Sequence, residues 1–367
     1  MIDRENIFII LPYFCLLFIG MVMVASSSVY VSEDIYGTPF HFASRQIIFF
    51  IVGIVATIIA LSIPSNIFLT LDWVILMGSF LLLIALFFPG VGTEVNGSLR
   101  WIRLGPINIQ PSEVSKLALV IYISGYCVRR LGEINTSLGF FRPLIVLAFF
   151  GLLIMSQPDL GSTLVIGALV IAVLFFAGIS FFQFSLLVSL MGSLAAIAIY
   201  LEPYRYIRFI SFTEPFENFY GPGWQLSNAL LGIGRGEWFG VGLGNSLQKN
   251  LYLPEPHTDF IFAVIVEEFG LIGGLIVIFL FALLIFGILV TSIKALELGK
   301  LFQGLLAFGA GILIAIQVVF NIGVNLGILP TKGLTLPFIS YGGSSLILFM
   351  FLMGIVLRIN FENKTIK

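Results

Sequence analysis

The chain has 367 residues, of which 59% are apolar and 10% charged, with a mean hydropathy of +1.10. That composition excludes a soluble globular domain and leaves a polytopic membrane protein. A net charge of −1 gives nothing to attract nucleic acid, and Cys15 and Cys127 both sit in apolar runs that suit neither a disulfide framework nor a zinc site.

A helix needs about 20 apolar residues to cross a bilayer. On that ruler the sequence predicts ten spans, at 7–29, 46–63, 70–90, 112–128, 142–157, 161–178, 182–201, 260–290, 302–328 and 341–358. The first run, Ile7 to Val24, is longer than a secretory h-region and reads as a span, not a signal peptide. The expected fold class is all-α, one integral membrane domain over 1–367. A large extracytoplasmic loop, 202–259, separates spans seven and eight. An even number of spans puts both termini on one side. Lys and Arg divide evenly between the two sides until Arg205, Arg208, Arg235 and Lys249 of the long loop are set aside. Long loops count for little in the positive-inside rule, so the termini are placed in the cytoplasm.

The basic residues left outside cluster in loops 91–111 and 202–259, both interleaved with aromatic and aliphatic residues. They read either as solvated loops touching lipid headgroups or as an anion site, since arginine forks suit phosphate oxygens. In the first loop, "NGSLRWIRLGPINIQPSEVSK", Arg100 and Arg103 flank Trp101, and Pro111 and Ser112 open a helix with Ser112 as its expected N-cap. Glu113 and Lys116 are three apart and share a helix face. They form either a simple interfacial ion pair or a lysine held in a polar cavity. In "SQPDLGST", Asp159 lies between two spans and suits a turn.

The glycine-rich stretch 221–244 is too glycine-rich for continuous helix and too apolar for a flexible linker. It leads into "LPEPHTDFIFAVIVEEFG", 253–270. Asp259 stands at the mouth of span eight, as an N-cap or as an acid free for chemistry. His257 could work as acid or base, or be an ordinary polar loop residue. Glu267 and Glu268 lie inside the span, where acids are costly unless paired or facing water, which makes them functional candidates. "LPTKGLTLPFISYGGSS", 329–345, breaks the chain between spans nine and ten and adds Lys332 as an outward cation. The residues together suggest an outward polar cavity for an anionic lipid, with an acid available as general base.

"PEPHTDFIFAVIVEE", "NGSLRWIRLGPINIQPSEVSK", "QPDLGST" and "LPFISYGGSS" together resemble the SEDS family (shape, elongation, division and sporulation), over nearly the whole chain and closer to its division branch than to its elongation branch. The resemblance implies a glycosyltransferase that polymerises lipid II, an undecaprenyl-pyrophosphoryl disaccharide-pentapeptide, at the outer face of the cytoplasmic membrane and at the septum. It implies Asp259 as catalytic residue, either general base or ligand of a divalent metal, Mg or Mn. Glu113 and Lys116 match the family's paired acid and lysine, and Asp159 the acid of its QPD motif. Arg100, Arg103, His257 and Lys332 join them as expected substrate-binding residues. The implied partners are a class B penicillin-binding protein, other division proteins and membrane lipid. A lipid II transporter and a scaffold for a transpeptidase are the competing readings.

Overall fold

The computed structural model of the protein describes residues 4–95, 98–104 and 107–365. In chain order its elements are α1 (Arg4–Ser27), α2 (Val29–Tyr36), α3 (His41–Ser62), α4 (Ser65–Thr70), α5 (Asp72–Ala85), β1 (Gly92–Val95), β2 (Ser98–Leu104), β3 (Ile107–Ile109) and α6 (Pro111–Arg129). They continue with α7 (Ser137–Met155), α8 (Leu160–Phe176), α9 (Phe181–Tyr200), α10 (Pro203–Thr213), α11 (Trp224–Gly236), α12 (Ile261–Glu297), α13 (Leu301–Asn325) and α14 (Gly343–Lys364). A helix stands at each of the ten predicted spans. Among the described residues, seven of them are long and apolar enough to cross a membrane: α1, α3, α7, α9, α12, α13 and α14. The apolar helices α5 and α8 are shorter.

Two compact units share the chain. One holds the chain up to Ile51 together with Ala196–Gly287 and Gln317–Gly342; the other holds Val52–Ala195, Ile288–Ile316 and Gly343–Lys367.

In the first unit the main event is a break in α12. Gly270 has φ 73 and ψ −175, which no helix allows. A helix would bond the N–H groups of Leu271 and Ile272 to the carbonyls of Glu267 and Glu268. Here those N–H groups donate instead to the carbonyls of Glu237 and Trp238, at 2.8 and 3.3 Å. The carbonyls of Glu267 and Glu268 accept from Val241 and Gly242, each at 3.0 Å. The glycine-rich loop after α11 therefore fills the break with its own backbone, which is how non-helical chain is tolerated within a span. The approach is close enough to require glycine: a Cβ on Gly236, Gly240 or Gly270 would strike the backbone opposite.

Gly240→Ala is accordingly expected to lower the melting temperature in detergent more than Gly244→Ala. Both positions have left-handed φ, 78 and 85, but a Cβ on Gly244 meets nothing within 4 Å. The Gly244 variant carries only backbone strain, about 1–2 kcal/mol. Equal losses would mean that the loop does not seat in the break.

The second unit is built around α6. Nearly every residue of this helix is buried, and it packs on α5, α8, α14, α4, α7 and β2. Being surrounded by protein explains how it carries Glu113 and Lys116 and is still a core helix. Before it, β1, β2 and β3 form a three-stranded antiparallel sheet, with a bulge between Thr93 and Glu94. The sequence reading took this stretch for an irregular loop. The Oγ of Ser344, at the start of α14, donates to the carbonyl of Asn108 at 2.5 Å and accepts from the N–H of Gln110 at 3.1 Å, so "YGGSS" anchors β3. The helix opens one residue before the expected cap. Gln110 occupies the cap position, Pro111 takes the first turn where its missing N–H costs nothing, and Ser112 lies inside the helix with its Oγ buried and unpaired.

Candidate active site

The tripeptide His257-Thr258-Asp259 is held by its main chain. Three consecutive carbonyls each find a partner: that of His257 accepts from Tyr341 N–H at 2.8 Å, that of Thr258 from Ser340 Oγ at 2.6 Å, and that of Asp259 from Asn321 and Asn325 Nδ2, both at 2.9 Å. Two of the sequence motifs, "HTDF" and "LPFISYGG", thus meet in the fold. Asp259 lies two residues before the first residue of α12, one short of the cap position. Capping falls to Asn325, whose Oδ1 accepts the N–H of Ala263 at 3.0 Å. The Asp259 carboxylate is half-buried and rests against Gly333, where an added Cβ would stand 2.8 Å from Oδ2. Lys332 is the next residue along that segment.

His257 is packed, not presented. Its ring is buried against Phe42, 4.4 Å between centroids, and Tyr341, 5.5 Å, and its Nδ1 has no partner. Burial pushes the imidazole below its usual pKa, with nearby Glu255 opposing. A neutral ring wedged between aromatics fixes the backbone and suits proton transfer poorly.

The second unit holds the other expected residues. Lys116 Nζ and Glu113 Oε1 are 2.5 Å apart and almost completely buried. They line a cavity of about 10 Å³ with Leu117, Leu313, Leu348, Phe349 and Leu352, barely room for one water. Arg100 stands at the register shift of β2, between Leu99 and Trp101, and Arg103 pairs with Asn108 of β3. Arg103 is exposed. Arg100 turns to the QPD turn, donating from Nε to the Gln157 carbonyl at 3.2 Å and from a terminal nitrogen to the Pro158 carbonyl at 2.6 Å. Asp159 in that turn is the N-cap of α8, accepting the N–H of Ser162 at 3.1 Å. Arg100 and the Asp159 turn are thus brought together. Arg100→Ala is expected to cost about 1–2 kcal/mol by removing two charge-assisted bonds from a partly exposed side chain, read as a lower melting temperature. An unchanged melt would release Arg100 from this turn.

Glu267 and Glu268, candidates for chemistry by their position alone, are structural. Glu267 accepts from Arg235 at 2.9 Å, from Leu247 N–H at 2.9 Å and from Ser246 Oγ. Glu268 accepts from Lys249 Nζ at 2.8 Å and from Ser26 Oγ at 2.8 and 3.0 Å. The two acids fasten the loop to α12 just before its break.

Comparison with known proteins decides the family. The family model for FtsW, RodA and SpoVE, described as cell cycle protein, matches residues 6–365. The chain belongs to the FtsW/RodA/SpoVE family. It is 44% identical over 351 residues to the probable peptidoglycan glycosyltransferase FtsW of Pseudomonas fluorescens, covering 95% of this chain and 86% of that one. It is 46% identical over 363 residues to the protein of the same name from Aliivibrio salmonicida, covering 99% and 90%. Among solved structures it is similar to a chain of a peptidoglycan synthase complex that coordinates polymerization and crosslinking, with TM-score 0.75, 25% identity and coverage of 96% and 98%. It is also similar to the rod shape determining protein RodA of Thermus thermophilus, with TM-score 0.70, 26% identity and coverage of 97% and 96%. Like its family, the chain is a multi-pass membrane protein.

Within this FtsW/RodA/SpoVE chain the sequence reading missed Asn321 and Asn325. Their signal was present: two amides four residues apart in an apolar span, where polar groups are expensive. It also missed Arg235 and Lys249 as partners of the buried acids and Gly333 as neighbour of the Asp259 carboxylate.

Proposed function

We propose that this chain is a peptidoglycan glycosyltransferase that polymerises lipid II at the outer face of the cytoplasmic membrane during septal wall synthesis. All ten helices that match the predicted spans cross the bilayer in this reading, with the termini in the cytoplasm. The observation that carries it is the setting of Asp259. Its backbone is clamped, capping is done by another residue, and its carboxylate lies against Gly333 beside Lys332.

In this reading Asp259 takes the proton of the acceptor sugar's 4-hydroxyl as that oxygen attacks the donor's anomeric carbon. The new O–C bond forms on the face opposite the leaving group. The bond to the lipid diphosphate breaks with its electron pair, and the configuration inverts. Lys332, next to Gly333, is assigned to the diphosphate charge. Arg100 is assigned to holding the QPD turn that Asp159 caps. Glu113 is assigned to holding Lys116 in place through their buried ion pair.

Among the described residues no three His, Cys, Asp or Glu side chains converge as a metal cage. Mg or Mn fits here as an ion held by Asp259 together with substrate phosphate oxygens, the usual mode for a hard cation that keeps much of its water. Such an ion would supply charge neutralisation at the diphosphate.

The partner in this reading is a class B penicillin-binding protein, which supplies cross-linking. The test is a polymerisation assay on the complex with that partner, using lipid II, a divalent metal and blocked transpeptidation. A ladder of glycan products that disappears in Asp259→Ala supports the reading. No ladder from a folded complex overturns it in favour of transport or scaffolding.

A further inference from the structure

We infer that Asn321 and Asn325 of α13 are positioning residues for Asp259, an inference that rests on the reading of Asp259 as the general base. Both amides are buried in an apolar helix, Asn321 1% and Asn325 0% exposed. Burying an amide there costs several kcal/mol unless its hydrogen bonds are made, and here they are made to one place. Asn321 Nδ2 donates to the carbonyl of Asp259 at 2.9 Å and to that of Leu334 at 2.6 Å. Asn325 Nδ2 donates to the carbonyl of Asp259 at 2.9 Å and to that of Asn321 at 2.8 Å. Asn325 Oδ1 accepts the N–H of Ala263.

The consequence is a three-way tie. The entrance to α12, the end of α13 and the segment through Gly333 and Leu334 are joined by two side chains. Asp259 sits where all three meet, with its backbone on the amides and its carboxylate on Gly333. The pair does two jobs that a catalytic Asp at a helix entrance would otherwise have to share. It accepts the buried N–H of Ala263 in the first turn of the helix and fixes the main chain from which the carboxylate projects. A general base works only within hydrogen-bond reach of its proton, and an error of about 1 Å in such a geometry costs on the order of 100-fold.

The test uses the full chain in complex with its penicillin-binding protein partner. Asn325→Asp keeps an oxygen for Ala263 but loses both donated bonds. Gly333→Ala reaches the carboxylate from the opposite side without touching the asparagines, and keeps the inference open to refutation if Asn325→Asp fails to fold. Polymerisation rates against lipid II concentration give kcat and KM, and lipid II titration gives the affinity and the number of binding sites. Each variant is expected to lose about 10- to 100-fold in kcat, with KM and lipid II affinity within about threefold and one full binding site per protein.

An unchanged kcat overturns the inference. So does a loss of kcat that only follows a loss of binding sites, because that is the mark of a merely structural role. A wild-type complex that forms no glycan at all overturns the glycosyltransferase reading first, and is distinct from a working wild type with indifferent variants.

Discussion

Asp259→Asn is expected to abolish glycan polymerisation while leaving the protein folded. The change removes one ionisable oxygen and keeps the shape. The main chain of residue 259 is held through its carbonyl by Asn321 and Asn325, and these bonds do not depend on the side chain. The helix entrance loses nothing either, because Asn325 caps Ala263. Loss of general base catalysis alone is worth about 100- to 10,000-fold in rate, enough to erase a product ladder. The melting temperature in detergent should stay within about 2 °C of wild type, since the clamp on the main chain and the Asn325 cap remain. A variant that still polymerises would take Asp259 out of the chemistry. A variant that unfolds would make it a structural acid, as the N-cap reading of its sequence position supposes.

What the sequence makes legible follows from how local its signals are. The apolar runs of α1, α3, α7, α9 and α13 are self-contained, and each appears where its composition places it. Lys116 and Glu113 pair because helical spacing alone brings them together. The sheet was invisible while this stretch was read as a loop, so the register shift at Arg100 and its bonds to the QPD turn went unseen. The break in α12 is harder. Gly270 sits among apolar helix formers, and only the chain of Glu237 to Gly242, thirty or so residues earlier, shows why it is needed. Glu267 and Glu268 were read as functional candidates for the same reason. Their partners Arg235, Ser246, Lys249 and Ser26 reach them through tertiary structure that no spacing rule encodes.

The second large effect is expected at Lys249. Its ammonium is 3% exposed and Glu268 is 0% exposed, so the pair lies in a medium that screens little. Ser26 bridges both members, donating to each carboxylate oxygen and accepting from Nζ at 3.0 Å. Lys249→Ala leaves the Glu268 charge buried without its cation, and breaking such a pair costs about 3–5 kcal/mol. Lys249→Met combined with Glu268→Gln should recover most of that loss, because no charge is then stranded. Arg235→Ala is the contrasting case. Arg235 is 40% exposed, and without it Glu267 keeps Ser246 and the N–H groups of Leu247 and Gln248. Its removal should cost no more than about 1 kcal/mol after solvent screening. Melting in detergent and protease cleavage within 237–250 report the order, with Lys249→Ala far more labile than either the double variant or Arg235→Ala. If the two single variants melt alike, the loop is not locked by the buried pair. If the order holds, the half-helix from Ile261 to the break is fastened at both ends, by Asn325 beside Asp259 and by Lys249 at Glu268. Loosening the far end should then lower the polymerisation rate in step with stability, without any group near the substrate having changed.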